Sequence, residues 1–175
     1  TLDIDADMVT MAKGLGNGAA VGAVLMKTEV AETMTGKTYF NTFAGDPLQM
    51  IQSRLTLEII KEEQLVENAR VMGNQLKDGF QQLQKKHPII GDVRGRGLLL
   101  GIELVKDPIT KTPASDEAFQ LMDLCKDKGL LVGKGGQYGN VFRIAPPLTI
   151  NQEQVDFILT TLDQSLSELA RLYTL

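Results

Sequence analysis

From Leu48 to Lys86 the sequence carries an apolar stripe at helical spacing, broken once and closed by a proline. Leu48, Ile51, Leu55 and Ile59 recur every three or four residues, and Val66, Ala69, Met72, Leu76, Phe80 and Leu83 resume the pattern. The phase slips across Lys61-Glu62-Glu63-Gln64, which predicts two helices or one strong kink, and His87-Pro88 ends the run. Short apolar runs lie on both sides: Met8 to Ala12 and Ala19 to Met26 before it, then Ile89 to Arg94, Leu98 to Val105, Leu130 to Gly133 and Val141 to Ala145. These read as strands. Further helices are expected at Thr28 to Met34, capped by Thr28, and at Ser115 to Lys128, capped by Ser115 and stopped by Gly129. A last helix begins at Asn151, with Gln154 in the capping-box position and Val155, Ile158, Leu162, Leu166 and Leu169 on its buried face. Strands interleaved with helices define an α/β or α+β chain.

Composition narrows the function classes. With 175 residues, 43% of them hydrophobic and a net charge of -4, the chain can bury one sizeable core and is too apolar to remain disordered. Its longest apolar runs, Ala19 to Met26 and Leu98 to Ile102, are far too short to span a membrane, and no basic stripe offers a nucleic acid anything to bind. The single cysteine, Cys125, permits no internal disulfide and gives no metal-ligand spacing, and the single histidine, His87, removes most zinc and Ser-His-Asp readings. Cys125 is expected as a small buried apolar residue, and His87 as a helix end on the surface. The chain opens without Met, without a basic start and on an early strand, so it is expected to be the later part of a longer protein.

Lys13 is the sharpest chemical feature. It follows an apolar run and precedes Gly14, Gly16 and Gly18. A lone lysine there is most often a surface residue at a turn. Two features argue for more: the glycines clear side chains from one side of it, and its apolar neighbours would strip water from the amine and sharpen it as a nucleophile. Neither phosphate-loop pattern is matched. Arg143, inside Val141-Phe142-Arg143-Ile144-Ala145, is either an unpaired cation awaiting an anion or an arginine snorkelling from an edge strand. Arg94 and Arg96, set among glycines, read as a structural turn between strands.

Four ordered segments carry a resemblance. Asp7 to Gly18 (DMVTMAKGLGNG), Asn41 to Pro47 (NTFAGDP), Gly91 to Leu98 (GDVRGRGL) and Phe142 to Leu148 (FRIAPPL) together resemble the class III aminotransferases, pyridoxal-phosphate enzymes of fold type I. Within that family, Tyr39 to Phe43 and Leu131 to Gly135 are most similar to the mitochondrial alanine–glyoxylate aminotransferase 2 group. Two positions depart from the family pattern: Tyr39-Phe40 stands where many members have His-Gly, and Asp46 where Asn or His is usual.

The resemblance implies an architecture. Residues 1–60 would be the end of the cofactor-binding large domain, with the lysine on a strand-turn, and residues 61–175 a small C-terminal α+β domain with a short sheet and flanking helices. It also implies roles. Lys13 would carry pyridoxal 5'-phosphate and act as the proton shuttle, Thr42 would bind the cofactor phosphate across a subunit interface, and Arg143 would hold the substrate carboxylate. The implied substrates are an amino acid and a 2-oxo acid, alanine and glyoxylate first among them, in a mitochondrial homodimer or dimer of dimers. An ω-amino acid–pyruvate or ornithine-type transaminase is the alternative within the same chemistry. A non-catalytic assembly module that binds no cofactor alone is the alternative outside it.

Overall fold

A computed structural model describes residues 4–173. The chain divides into two compact units, Thr1–Gln64 and Leu65–Leu175.

The first unit holds β1 (Met8–Met11), a 3-10 turn (Lys13–Leu15), β2 (Ala23–Met26), α1 (Thr28–Glu32) and α2 (Pro47–Glu62). β1 and β2 pair antiparallel, Met8 opposite Met26 and Met11 opposite Ala23. The strand is shorter than the apolar run from Ala19 suggested, because pairing with β1 begins only at Ala23, opposite Met11. Thr28 is the first helical residue of α1 and caps nothing; Lys27 takes the cap position, without a side-chain bond. α2 is better begun: Asp46 accepts from the backbone N–H of Leu48 and Gln49 at 3.1 and 3.2 Å, and Pro47 sits in the first turn, where its missing N–H costs nothing. Among the described residues of this unit only Gly16 and Ser53 are buried. The stripe Leu48, Ile51, Leu55 and Ile59 is therefore exposed here, as are Val24, Leu25 and Phe40.

Gln64, at a left-handed φ of 52°, ends the first unit at the expected phase slip. The second unit holds α3 (Leu65–Lys86), β3 (Ile90–Arg96), β4 (Leu99–Leu104), α4 (Ser115–Asp127), β5 (Gly133–Gly135), β6 (Val141–Ile144) and α5 (Gln152–Tyr173). Its four strands form one antiparallel sheet in the order β3-β4-β6-β5. Alternation sorts the two faces. Leu100, Ile102, Leu104, Phe142 and Ile144 point into a core completed by Leu76 and Phe80 of α3, Leu121 and Cys125 of α4, and Val155, Leu162 and Leu166 of α5. Asp92, Arg94, Gly101, Glu103 and Arg143 occupy the opposite face. Gly73 lets α3 reach the β3–β4 turn: a Cβ there would lie 2.2 Å from the Gly97 carbonyl oxygen.

The capping box of α5 forms as expected, with Asn151 N–H donating to Gln154 Oε1 and Gln154 N–H to Asn151 Oδ1. Two expectations fail nearby. Ser115 does not cap α4, because its hydroxyl donates instead to the Tyr138 carbonyl at 2.6 Å. β5 begins at Gly133 and excludes Leu130 to Val132, where the chain is still turning off the end of α4.

His87 is not on the surface. It is 7% exposed, and its Nε2 lies 2.6 Å from Asp163 Oδ1 of α5, which also accepts from Lys86. His87, and then Lys86, hold the Asp163 carboxyl below the ordinary carboxylate range. A lowered folded-state value means the clamp stabilises the fold above the unfolded carboxylate range, near pH 4, and loses its effect as pH falls through the lower value. Asp163→Asn is therefore expected to cost about 1–2 kcal/mol at neutral pH. In acid-unfolding curves the gap to the parent should close as pH falls below the ordinary carboxylate range; a constant gap would contradict the clamp.

Candidate active site

Lys13 opens the 3-10 turn directly after β1, with a left-handed φ of 56°, uncommon for any residue other than glycine. The turn is held by Gly16 N–H to the Lys13 carbonyl at 3.1 Å and Ala19 N–H to the Gly16 carbonyl at 3.0 Å. Gly16 has no room for a side chain, since a Cβ would meet the Ala19 carbonyl oxygen at 2.4 Å. Beside Gly14 and Gly18, by contrast, a Cβ would meet nothing within 4 Å. The Lys13 side chain is exposed, and its amine makes no hydrogen bond or ion pair among the described residues. The expectation that neighbours such as Met11 and Ala12 would desolvate it fails within this chain, because β1 itself is exposed.

Sequence reasoning missed Gln52. This residue of α2 donates from Nε2 to the carbonyls of Gly16 and Asn17, at 2.8 and 3.1 Å, and so ties the turn to the helix. The available signal was a glutamine interrupting an apolar helix one position after Ile51. Gln52→Ala should cost about 1 kcal/mol. It should also speed amide exchange at Gly16, Asn17 and Ala19, and unchanged exchange there would mean the turn holds itself.

Thr42 lies in the turn just before α2. Asn41 shapes that turn, accepting from Phe43 N–H on its side chain at 3.0 Å and from Ala44 N–H on its carbonyl at 3.0 Å. A hollow of about 580 Å³ beside it is lined by Thr10, Met11, Asn41, Phe43 and Gln49, among others, but not by Lys13 or Thr42. No hydrogen bond joins Lys13 to Thr42.

Arg143 belongs to the second unit. It stands on β6 in register with Gly101 of β4 and Gly133 of β5, so neither neighbouring strand sets a side chain beside it. It is exposed rather than buried, which removes the desolvation cost expected for a core arginine. It lines a hollow of about 540 Å³ with Leu131, Val132, Ile144 and Pro146. Arg94, one strand further on the same face, is differently placed: its Nη1 lies 2.6 Å from both Asp92 and Glu103, which raise its already high pKa. Arg94 is thus committed within the sheet, as a structural reading requires. Arg143 makes no ion pair among the described residues, so its guanidinium keeps its donors for something else.

The family model for class-III aminotransferases matches residues 1–166. The chain belongs to that family. A relative from Arabidopsis thaliana, "Alanine--glyoxylate aminotransferase 2 homolog 2, mitochondrial", is 49% identical over 163 residues, 93% of this chain and 34% of the relative. "Ethanolamine-phosphate phospho-lyase homolog 1" from Caenorhabditis elegans is 39% identical, over 94% of this chain and 36% of its own length. The crystal structure of a Bacillus anthracis aminotransferase superposes with a TM-score of 0.88 at 36% identity, covering 95% of this chain and 40% of that one. The chain therefore spans about a third of the length of the curated relatives it matches. Its fold is the matching portion of the fold type I architecture, and the family is one of pyridoxal-phosphate-dependent transferases.

Proposed function

We propose that this chain is the C-terminal part of a pyridoxal-phosphate transaminase that moves an amino group from alanine to glyoxylate. The observation that carries the reading is Lys13: an uncommitted amine, held at a strained φ on a turn pinned by Gln52, in a member of this family. The donor set fits the cofactor. A primary amine suits its aldehyde, and the open space beside Gly14 and Gly18 admits a flat ring. When bound, pyridoxal phosphate supplies an electron sink for charge developing at the substrate's Cα.

The chain's own residues would do the rest. Lys13 Nζ would hold the cofactor, then take the Cα proton and return it. The Thr42 hydroxyl would donate to the phosphate held by a neighbouring subunit. Arg143 would fork onto the carboxylate that both alanine and glyoxylate present, leaving the apolar hollow beside it to accept a small side chain. The first unit would be the end of the cofactor-binding domain and the second the small C-terminal domain. The exposed apolar stripes of β2 and α2 are surfaces that the rest of the chain and a second subunit would cover. A mitochondrial setting rests on the names of relatives such as the Arabidopsis protein.

The 39% identical relative named as a phospho-lyase supports a second reading, elimination from an amino alcohol phosphate. The full-length enzyme, given pyridoxal phosphate, alanine and glyoxylate, is expected to form pyruvate and glycine in equal amounts. Turnover only with ornithine or an ω-amino acid would move the donor assignment, and phosphate release from phosphoethanolamine without transamination would overturn the transaminase reading.

A further inference from the structure

Lys13 and Asn17 both stand at left-handed φ, 56° and 44°, within one short turn. Such conformations cost free energy and persist only where the surroundings over-determine them. The turn's own main-chain bonds are weak for that task. Leu15 N–H reaches the Ala12 carbonyl at 3.3 Å and Asn17 N–H the Gly14 carbonyl at 3.2 Å, at or beyond the usual limit. Among the described residues, Gln52 is the one side chain from outside the turn that bonds to it.

The path from Gln52 to the lysine is short. Both protons of its Nε2 are used, on the carbonyls of Gly16 and Asn17 at 2.8 and 3.1 Å. The Gly16 carbonyl also accepts from Ala19 N–H at 3.0 Å, which fills its two lone pairs. Gly16 N–H in turn donates to the Lys13 carbonyl at 3.1 Å. One side chain on α2 therefore fixes the residue that fixes the backbone of Lys13. Its base is firm: Asp46 caps α2, and Thr56 Oγ1 donates to the Gln52 carbonyl at 2.8 Å. Gln52 itself is exposed, so its contribution is the two bonds and not burial.

We propose that Gln52 is a positioning residue for the reaction, holding the turn in the arrangement from which the Lys13 amine reaches both the cofactor aldehyde and the substrate Cα proton. The proposal rests on the transaminase reading and adds to it a residue that touches neither cofactor nor substrate.

Gln52→Met in the full-length protein is the test, because Met keeps the length and helix propensity of Gln and removes both donors. Pyridoxal phosphate titrated into the apoprotein should bind about three- to tenfold more weakly. With cofactor saturating, kcat per site labelled on Lys13 by borohydride should fall about tenfold, since a small misplacement is costly at a reacting centre. KM for alanine should not rise, because its carboxylate would be held by Arg143, in the other unit. A bond that serves only the fold would lower the melting temperature and leave kcat per labelled site at the parental value. Parental kcat and cofactor affinity in Gln52→Met would therefore overturn the proposal, as would a raised KM with kcat unchanged. Label on a lysine other than Lys13 in the parent would overturn the transaminase reading and the proposal together. Label on Lys13 beside a parental kcat in Gln52→Met would overturn the positioning role alone.

Discussion

Lys13→Ala in the full-length enzyme is expected to lower turnover by ~10³-fold or more, because in the proposed mechanism one amine serves as both nucleophile and proton shuttle. The structure makes this an unusually clean substitution. Lys13 is exposed and has no hydrogen bond or ion pair among the described residues, and its backbone is held by main-chain bonds and by Gln52. Stability should therefore stay within about 0.5 kcal/mol of the parent. Turnover lost with the melting temperature retained separates chemistry from folding. A folded variant that keeps a tenth of the parent rate would remove Lys13 from the mechanism.

Arg143→Ala should raise the KM for both alanine and glyoxylate, since under the proposed function each would bring a carboxylate to the same guanidinium. Truncating one partner of a charge-assisted fork costs about 2–4 kcal/mol, roughly 30- to 1,000-fold in affinity. Arg143→Lys should recover little, because an ammonium lacks the planar fork. The internal control is Arg94, on the same sheet face. Its bonds to Asp92 and Glu103 are structural, so Arg94→Ala should lower the melting temperature and leave both KM values near those of the parent. If the two variants exchange behaviours, the assignment of the free arginine is wrong.

What the sequence disclosed depended on how local the cause was. The break between α2 and α3, the capping box at Asn151, the stop at Gly129 and the strands β4 and β6 are set by neighbouring residues, and all were legible. Thr28 and Ser115 misled for a physical reason: a hydroxyl near a helix start caps only if the backbone turns it inward, and Ser115 found the Tyr138 carbonyl, 23 residues away, instead. His87 misled in the same way. Its carboxylate partner lies 76 residues later, on a helix whose packing no local pattern specifies.

The site was legible by residue type more than by environment. Lys13 among glycines stood out, yet its exposure in this chain did not, because the apolar run before it reads as buried and β1 is not. The same holds for the stripe of α2, whose periodicity predicts a buried face that this chain does not itself cover. Gln52 was invisible because its importance comes from meeting a turn 35 and 36 residues earlier.

In the proposed function Lys13 carries the cofactor. Reducing the full-length holoenzyme with borohydride, then mapping its peptides by mass, tests it without any assumption about substrate. A pyridoxyl group is expected on the peptide containing Lys13 and on no other; a pyridoxyl group on a different lysine, with Lys13 unmodified, would contradict the proposed role of Lys13.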